Sequence, residues 1–394
     1  MYRMGEEEIQ AVAEIMRSRA FHRSSEKGLA GAQTFENDFK KYAKCDEFFL
    51  TTSGKSALIC ALTAMGIGPG DEVIVPAYTY IATAIAVTAV GAIPVIADIN
   101  DTLGIDPVDV ERKISKYTKA IIPVHMQGMP CDMDALMALG KKYNIYVLED
   151  SCQGIGGDYK GKKLGTIGDA GAYSFNSAKN ITAGEGGGLA TNNRKIYEAA
   201  FIQHDSSGAK FLGDELNGFE QLAFAGNEYR VSNITGAILV EQLKRLDGII
   251  ADLRKNKKRV MAELSDLPIR FAPSNDPEGD CGNMLSMRFD DIALAEEFAK
   301  EIGPYSGTLK TMGRHIFNNW EPIMEKRGAF NDKMNPYLME ANKDLNMDYS
   351  EGLCQKTLDI LYSTVAVFIY PDWTEEELMN VVNDIRRAAE KFLK

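Results

Sequence analysis

Lys179 carries the chemistry most worth following in this chain. It stands in Tyr173-Ser174-Phe175-Asn176-Ser177-Ala178-Lys179-Asn180, just past a short apolar stretch that reads as a strand. Upstream, the run Tyr146-Val147-Leu148 ends in Glu149-Asp150 and continues as Ser151-Cys152-Gln153; downstream lies Gly184-Glu185-Gly186-Gly187-Gly188. An acid at one strand end and a lone lysine after the next is the arrangement a pyridoxal phosphate site needs. The amine forms a Schiff base with an aldehyde, and the carboxylate keeps the pyridine nitrogen protonated so that the ring can accept electrons from a carbanion. Taken singly, each residue also has an ordinary reading: a lysine beyond a strand is commonly solvated, and an aspartate there commonly caps a helix.

A second candidate is Thr51-Thr52-Ser53-Gly54-Lys55-Ser56-Ala57-Leu58, which opens an apolar helical run to Met65. A strand-to-helix turn rich in Ser, Thr and Gly aims several backbone N–H groups at one place, where the helix dipole also favours an anion. A cofactor phosphate belongs there, on Ser53, Gly54 and Lys55. The Gly-Lys-Ser triplet is not a nucleotide P-loop, because that motif needs a glycine five residues before its Gly-Lys and position 49 is Phe. Ser174, five residues before Lys179, either donates a hydrogen bond to the same phosphate or simply ends its strand.

The elements that must position these residues alternate. Strands are expected at Glu72 to Pro76, Ile93 to Ile99, Lys119 to Val124 and Ile145 to Leu148, with helices around Ile81 to Val90 and from Met133 to Tyr143. Continuous apolar strands separated by helices imply an α/β fold with a parallel sheet covered on both faces, whose ligands gather at the strands' carboxyl ends. Tyr80, His125 and Asp150 fall at such ends. Tyr80 is otherwise a buried strand-end tyrosine, and His125 reads as a hydrogen-bonded structural histidine. Nearer the N-terminus, residues 6–19 put Ile9, Val12, Ile15 and Met16 on one helical face. The polar stretch His22 to Gly31 follows, and its His22, Arg23 and Lys27 read as a solvated connection or a loop over an anion. A helix from Thr34 carries Phe35, Phe39 and Tyr42. The helix Gly236 to Leu246 and a charged helix from Asp247 to Leu264 come next. Past residue 250 the texture changes to a smaller α+β unit with strands at Ile269 to Ala272, Met284 to Phe289 and Thr364 to Tyr370. It closes on a helix that opens with the capping box Thr374-Glu375-Glu376-Glu377 and buries Leu378, Val382, Ile385, Ala389 and Phe392. Two domains are therefore expected, 1–250 and 251–394.

The runs Glu149 to Gln153, Ser174-Phe175 followed by Lys179-Asn180, and Gly184 to Gly187 resemble, in order, the successive signatures of the DegT/DnrJ/EryC1/StrS sugar aminotransferases. Gly68-Pro69-Gly70-Asp71-Glu72-Val73-Ile74, Pro123 to Gly128 and Asn227-Glu228-Tyr229-Arg230 are similar to further stretches of that family. The resemblance implies fold type I of the pyridoxal phosphate enzymes, with a mostly parallel seven-stranded sheet in the large domain. It further implies that Lys179 holds the cofactor, which becomes pyridoxamine phosphate during the cycle, while Asp150 pairs with the pyridine nitrogen. Tyr80 would lie flat on the ring and Gln153 against its phenolic oxygen. Asn227 would reach the phosphate of the partner subunit, which makes the protein a homodimer with its active site at the interface. Tyr229 and the Arg314-His315 pair would face substrate; Arg314 and His315 can equally be solvated. Lys55 departs from the family, which has Thr there, so it either pairs with the phosphate or turns to solvent. The implied activity is transfer of an amino group from L-glutamate or L-glutamine to a keto or aldehyde sugar, nucleotide-linked or of the octulosonate type, in amino-sugar biosynthesis. A sugar dehydratase on the same scaffold carries His in place of the lysine, and Lys179 argues against it. A non-catalytic regulatory homologue is opposed by the intact Lys179 and Asp150.

Composition narrows the partners. With 44 basic and 56 acidic residues the net charge is −12, which disfavours nucleic acid. Six scattered cysteines without CxxC pairs read as reduced thiols of a cytoplasmic protein, with Cys152 packed beneath the cofactor. Four histidines show no metal-ligand spacing, so no metal is expected. The acidic N-terminus does not read as a signal peptide, and Ala84 to Ala97, interrupted by Gly91 and Pro94, is too short to span a bilayer.

Overall fold

The computed structural model describes residues 3–23, 29–206, 218–221, 223–350 and 352–393. Its centre is the sheet that the apolar runs predict. In chain order the strands are β1 (Glu47–Thr51), β2 (Glu72–Pro76), β3 (Ile93–Ala97), β4 (Thr118–Ile121), β5 (Tyr146–Asp150), β8 (Ala170–Ser174) and β9 (Gly187–Thr191); a hairpin of β6 (Asp158–Tyr159) and β7 (Lys162–Lys163) intervenes. They lie in the order β1-β9-β8-β5-β4-β2-β3. Only β9 runs against its neighbours, so six of the seven carboxyl ends share one edge. The two-residue period of β2 shows why both faces are apolar: Val73 and Val75 join one buried cluster and Ile74 another. Helices α3 (Gly54–Ala64), α4 (Ala82–Ala89) and α7 (Arg194–His204) supply the first cluster; α5 (Pro107–Lys113) and α6 (Met133–Tyr143) supply the second.

The helices α1 (Glu6–Ser18), α2 (Ala32–Ala43) and α8 (Asn233–Glu263) pack together. Two expectations need correction here. The helices expected at Gly236 to Leu246 and from Asp247 to Leu264 are one 31-residue helix, α8, which crosses position 250/251 without a break. Leu246, Ile249, Ile250 and Leu253 keep a helical spacing through Asp247-Gly248, so the buried stripe is continuous and outweighs the glycine. The apolar face read for α1 is not all inward either. Ile15 is buried, whereas Ile9 and Met16 are exposed. Glu8 takes an inward position instead, accepting from Gln242 Nε2 and Arg245 Nε of α8 at 2.9 Å each. Burial opposes that charge, but donors from Arg245, Gln242 and the Gly5 amide hold the Glu8 carboxyl at about 2.

A second, antiparallel sheet follows: β10 (Arg270–Phe271), β11 (Met284–Arg288), β12 (Ser306–Thr308) and β13 (Thr364–Phe368), in the order β10-β11-β13-β12. Helices α9 (Ile292–Ile302) and α12 (Glu375–Phe392) pack on each other and on this sheet. The Thr374 capping box is present: its hydroxyl accepts from the Glu377 amide, and the Glu377 carboxylate accepts from the Thr374 amide at 2.8 Å. The chain between β12 and β13 runs through short turns, the four-residue α10 (Glu321–Met324) and α11 (Gln355–Tyr362). This stretch returns to the first sheet. Tyr349 Oη donates to the Pro94 carbonyl at 2.7 Å, and the Asn346 amide to Glu72 Oε1 at 2.7 Å. Tyr78 bridges Ile316, the Phe317 amide donates to the Ala77 carbonyl at 3.0 Å and the Ile81 amide to the Arg314 carbonyl at 3.0 Å.

Trp320 is the buried peg of this junction, with no exposed surface and its Nε1 donating to the Arg314 carbonyl at 2.9 Å. Trp320→Ala is expected to lower unfolding free energy in urea by about 3–5 kcal/mol, the usual cost of emptying a buried aromatic site.

Candidate active site

Asp150 ends β5 at the shared edge and is 5% exposed. Its charge is held by two donors: Thr83 Oγ1 at 2.8 Å to Oδ2, and the Cys152 amide at 3.2 Å to Oδ1. Thr79 Oγ1 lies 2.8 Å from Thr83 Oγ1, extending the chain of hydroxyls back into the segment that precedes α4. The preceding Glu149 points the other way, as alternation in a strand requires. It is wholly buried, accepting from the amides of Gly165, Ile167 and Gly168 at 2.6–2.8 Å and contacting His125 Nε2 at 3.0 Å. His125 Nδ1 accepts from the Cys131 amide at 3.2 Å, so this histidine is structural, as its sequence context suggests. Burial and the neighbouring Asp150 push the Cys152 thiol well above its usual range, consistent with a packing role.

The turn into α3 forms a cup beside Asp150. Ser53 caps the helix: its Oγ accepts from the Ser56 amide at 3.1 Å, while Ser56 Oγ accepts from the Ser53 amide at 2.9 Å. Of the first-turn amides this leaves those of Gly54 and Lys55 without an acceptor among the described residues, a pair of donors at a helix N-terminus. Ser174, at the end of β8, accepts from the Asn176 amide at 3.4 Å and keeps its own hydroxyl proton to give. The close fit has a sequence cause. A methyl group at Gly54 would strike Cys152 Sγ, and one at Gly187 would strike the Ser53 backbone, so both glycines are needed for the turn to sit on β8 and β9.

Lys179 is half-buried, in a turn closed by the bond from its amide to the Asn176 carbonyl at 3.0 Å. Its Nζ makes no hydrogen bond or ion pair among the described residues. A cavity of about 700 Å³ collects Ser53, Gly54, Lys55, Tyr80, Asp150, Gln153, Ser174 and Lys179, together with Arg314 and His315. Tyr80 is 49% exposed, not buried, with its ring 5.2 Å from that of His315. Lys55 is exposed at the rim, and Gln153 Oε1 accepts from the Gln127 amide at 3.0 Å. His315 Nδ1 lies 3.0 Å from the Met312 carbonyl, an acceptor only, so Nδ1 carries the proton and Nε2 is left as an acceptor. Burial, with the Lys179 charge nearby, lowers the His315 pKa below its ordinary value.

Asn227 and Tyr229 do not line this cavity. Asn227 is exposed and its amide donates to the Gln203 carbonyl at 2.8 Å; Tyr229 is half-buried, its amide donating to the His204 carbonyl at 2.8 Å. Arg23 is buried and paired with Glu36 at 2.6 Å, so it is not a solvated residue, while Lys27 lies outside the described residues. Residues that the sequence reading passed over are Thr83 and Thr79, which feed Asp150, and Gln127, Asn180, Asn283 and Tyr370. These last four line a second cavity of about 310 Å³ that also borders Lys179, Gln153 and His315. Thr79 and Thr83 had a readable signal, being hydroxyl residues that flank Tyr80 where the chain turns from β2 into α4. A separate convergence of Asp98, Asp109 and Cys354 is already served by a cation: Lys113 Nζ lies 3.1 Å from Asp109 Oδ2 and 3.7 Å from Cys354 Sγ.

Together, an amine with no partner among the described residues, a buried carboxylate met by two donors and a cup of amides and hydroxyls fit pyridoxal 5′-phosphate, with its aldehyde, ring nitrogen and phosphate respectively. Similarity to known proteins points the same way. A sequence model of the DegT/DnrJ/EryC1/StrS aminotransferase family matches residues 2–300. The chain is 41% identical over 219 residues to the GDP-perosamine synthase of Caulobacter vibrioides, covering 55% of this chain and 57% of that one. It is 36% identical over 262 residues to the spore coat polysaccharide biosynthesis protein SpsC of Bacillus subtilis, 65% of each. The chain thus spans between 57% and 65% of the length of these curated relatives. An aminotransferase from Psychrobacter cryohalolentis has the same fold, with a TM-score of 0.79 at 24% identity over 100% of this chain and 98% of that one.

Asp150→Ala is expected to cost about 3–5 kcal/mol of cofactor affinity, because it strips the partner from a charged group in a buried site. Thr83→Val removes one donor to that carboxylate and should weaken cofactor retention about tenfold. Titration of the cofactor-free protein with pyridoxal phosphate, followed by visible absorbance, ranks both against the parent.

Proposed function

Because the chain belongs to the DegT/DnrJ/EryC1/StrS aminotransferase family, we propose that it is a pyridoxal phosphate-dependent aminotransferase that moves an amino group from L-glutamate or L-glutamine to a nucleotide-linked keto or aldehyde sugar. The observation that carries this reading is the meeting of Lys179 and Asp150 at one cavity beside the α3 cup. The relative named GDP-perosamine synthase supports a sugar on a nucleotide as acceptor.

Bound pyridoxal phosphate supplies an electron-poor ring that takes up the charge left when the donor's α-carbon loses a proton. The chain does the rest. Asp150, held by the Thr83 hydroxyl and the Cys152 amide, pairs with the ring nitrogen. The amides of Gly54 and Lys55 with the hydroxyls of Ser53 and Ser174 orient the phosphate end, where Lys55 adds a positive charge in place of a hydroxyl. Tyr80 and Gln153 fix the ring plane. Lys179 Nζ takes the proton from the donor's α-carbon, and in the second half-reaction delivers one to the sugar carbon that receives nitrogen. His315 Nε2 accepts a hydrogen bond from a sugar hydroxyl, with Arg314 exposed on the wall of the same cavity. Asn227 and Tyr229, which do not line their own cavity, serve the site of a second subunit in a homodimer. The two half-reactions share one site, so ping-pong kinetics are expected.

The test is spectroscopic. Borohydride should trap pyridoxal phosphate on Lys179, identified by mass spectrometry, and Lys179→Ala should abolish both the trap and turnover. L-Glutamate should bleach the visible band, and GDP-perosamine with the pyridoxal form should do so from the opposite direction. A band that glutamate, glutamine and GDP-perosamine all leave untouched would overturn the reading. The His315 reading has a pH signature. Its neutral form persists to pH below the ordinary imidazole value, so the sugar half-reaction should hold through mild acid and fall only as pH drops through that lowered pKa, and His315→Gln should remove this acid limb.

A further inference from the structure

The turn of residues 175–186, which carries Lys179, is gripped from three directions. Asn180 Nδ2 donates to the Ile155 carbonyl at 3.0 Å. A carbonyl oxygen only accepts, so Asn180 must turn its nitrogen there and its Oδ1 the other way. On that side Asn283 Nδ2 donates to it at 2.6 Å. From a third direction Gln242 Oε1 of α8 accepts from the Thr182 amide at 3.3 Å, and Thr182 Oγ1 donates to the Phe175 carbonyl at 2.9 Å.

Asn283 is the unusual member. It immediately precedes β11, and its carbonyl accepts from the Ile369 amide at 2.9 Å, so its backbone belongs to the second sheet. Among the described residues its side chain makes the one side-chain hydrogen bond from that sheet to the lysine turn. With the nitrogen committed to Asn180, Oδ1 is left buried with no partner, against Gly128, where a Cβ would lie 2.9 Å from it. An unsatisfied buried acceptor is costly, and turning the amide over would only set two oxygens against each other. The side chain is thus held in one orientation for the sake of a single bond to the residue next to Lys179. Asn180, Asn283 and Lys179 also line the same smaller cavity.

We infer that Asn283 is a positioning residue for Lys179: its bond to Asn180 fixes the turn that presents Nζ and makes the lysine's reach depend on how the second sheet is seated. This rests on Lys179 being the reactive amine.

The experiment is a double-mutant cycle on the full chain with Asn283→Ala, Asn180→Ala and the pair. Three quantities are read: the rate at which cofactor-free protein captures pyridoxal phosphate, the hydrogen exchange of the 175–186 peptide without cofactor, and the rate and KM of the L-glutamate half-reaction. Asn283→Ala is expected to slow capture and the half-reaction by about tenfold, the loss of one hydrogen bond at a poised group, and Asn180→Ala, which also loses its bond to Ile155, by at least as much, with KM changed far less. Exchange should rise in 175–186, the pH at which the visible band titrates should shift, and the double variant should be no worse than Asn180→Ala alone. Single effects that multiply in the double variant would overturn the inference. So would a fall in melting temperature with capture, exchange and band pH all unmoved. Asn283→Ser, a smaller excision that leaves a donor of shorter reach, must show the same pattern if the alanine variant does not fold. Failure of the Lys179 reading itself looks different: the parent protein then yields no borohydride-trapped lysine at all.

Discussion

A carboxylate out of water is costly unless donors replace the water it lost, and the centre of this fold is arranged so that Asp150 can keep its charge. The parallel strands bring Asp150 to a common edge, α4 starts where Thr83 can donate to one oxygen, and the chain after β5 bends so that the Cys152 amide serves the other. The rest of the site is laid out around that fixed charge. The α3 cup sits to one side because Gly54 and Gly187 allow close approach, and the turn after β8 brings Lys179 to the same cavity. Remove the ionised carboxylate and the cup and the amine remain, but nothing holds a ring between them in the electron-poor state.

Much of this could be read from residues alone, for identifiable reasons. Strands buried on both faces advertise themselves as continuous apolar runs, so β2 and the run ending at Asp150 matched the structure, and ligand residues at strand ends follow from a parallel sheet. The turn into α3 was legible because its Ser, Gly and helix start are neighbours in sequence. What stayed hidden depends on distant chain segments. Nothing local announces that Asn283 reaches Asn180, or that 314–317 pairs with 77–81 and carries Arg314 and His315 to the cavity. Such contacts join segments a hundred or more residues apart, and no periodicity encodes them. The break expected between Leu246 and Asp247 failed for the opposite reason: the apolar stripe of α8 runs on through Asp247-Gly248 regardless.

The two cavities that meet at Lys179 differ in character. The larger is rimmed by Lys55 and Arg314 and floored by Asp150; the smaller has Leu253, Met312, Phe368 and Ile369 among its walls and offers amides but, besides Lys179, no cation. A shared lysine between a charged chamber and a mostly apolar one gives the amine two distinct surroundings within a single turn of chain.

The 31-residue helix α8 has a mechanical meaning beyond packing. At 1.5 Å per residue it is a rod of about 46 Å, so a pivot of about 5° at one end would carry the other by about 4 Å. Its first half buttresses the larger sheet and, through Gln242, the lysine turn; its second half abuts the smaller sheet, where Asn256 Nδ2 donates to the Tyr370 carbonyl at 2.8 Å. One rigid rod is therefore bonded both to the turn that carries Lys179 and to Tyr370 on the wall of the smaller chamber, to which it also contributes Leu253.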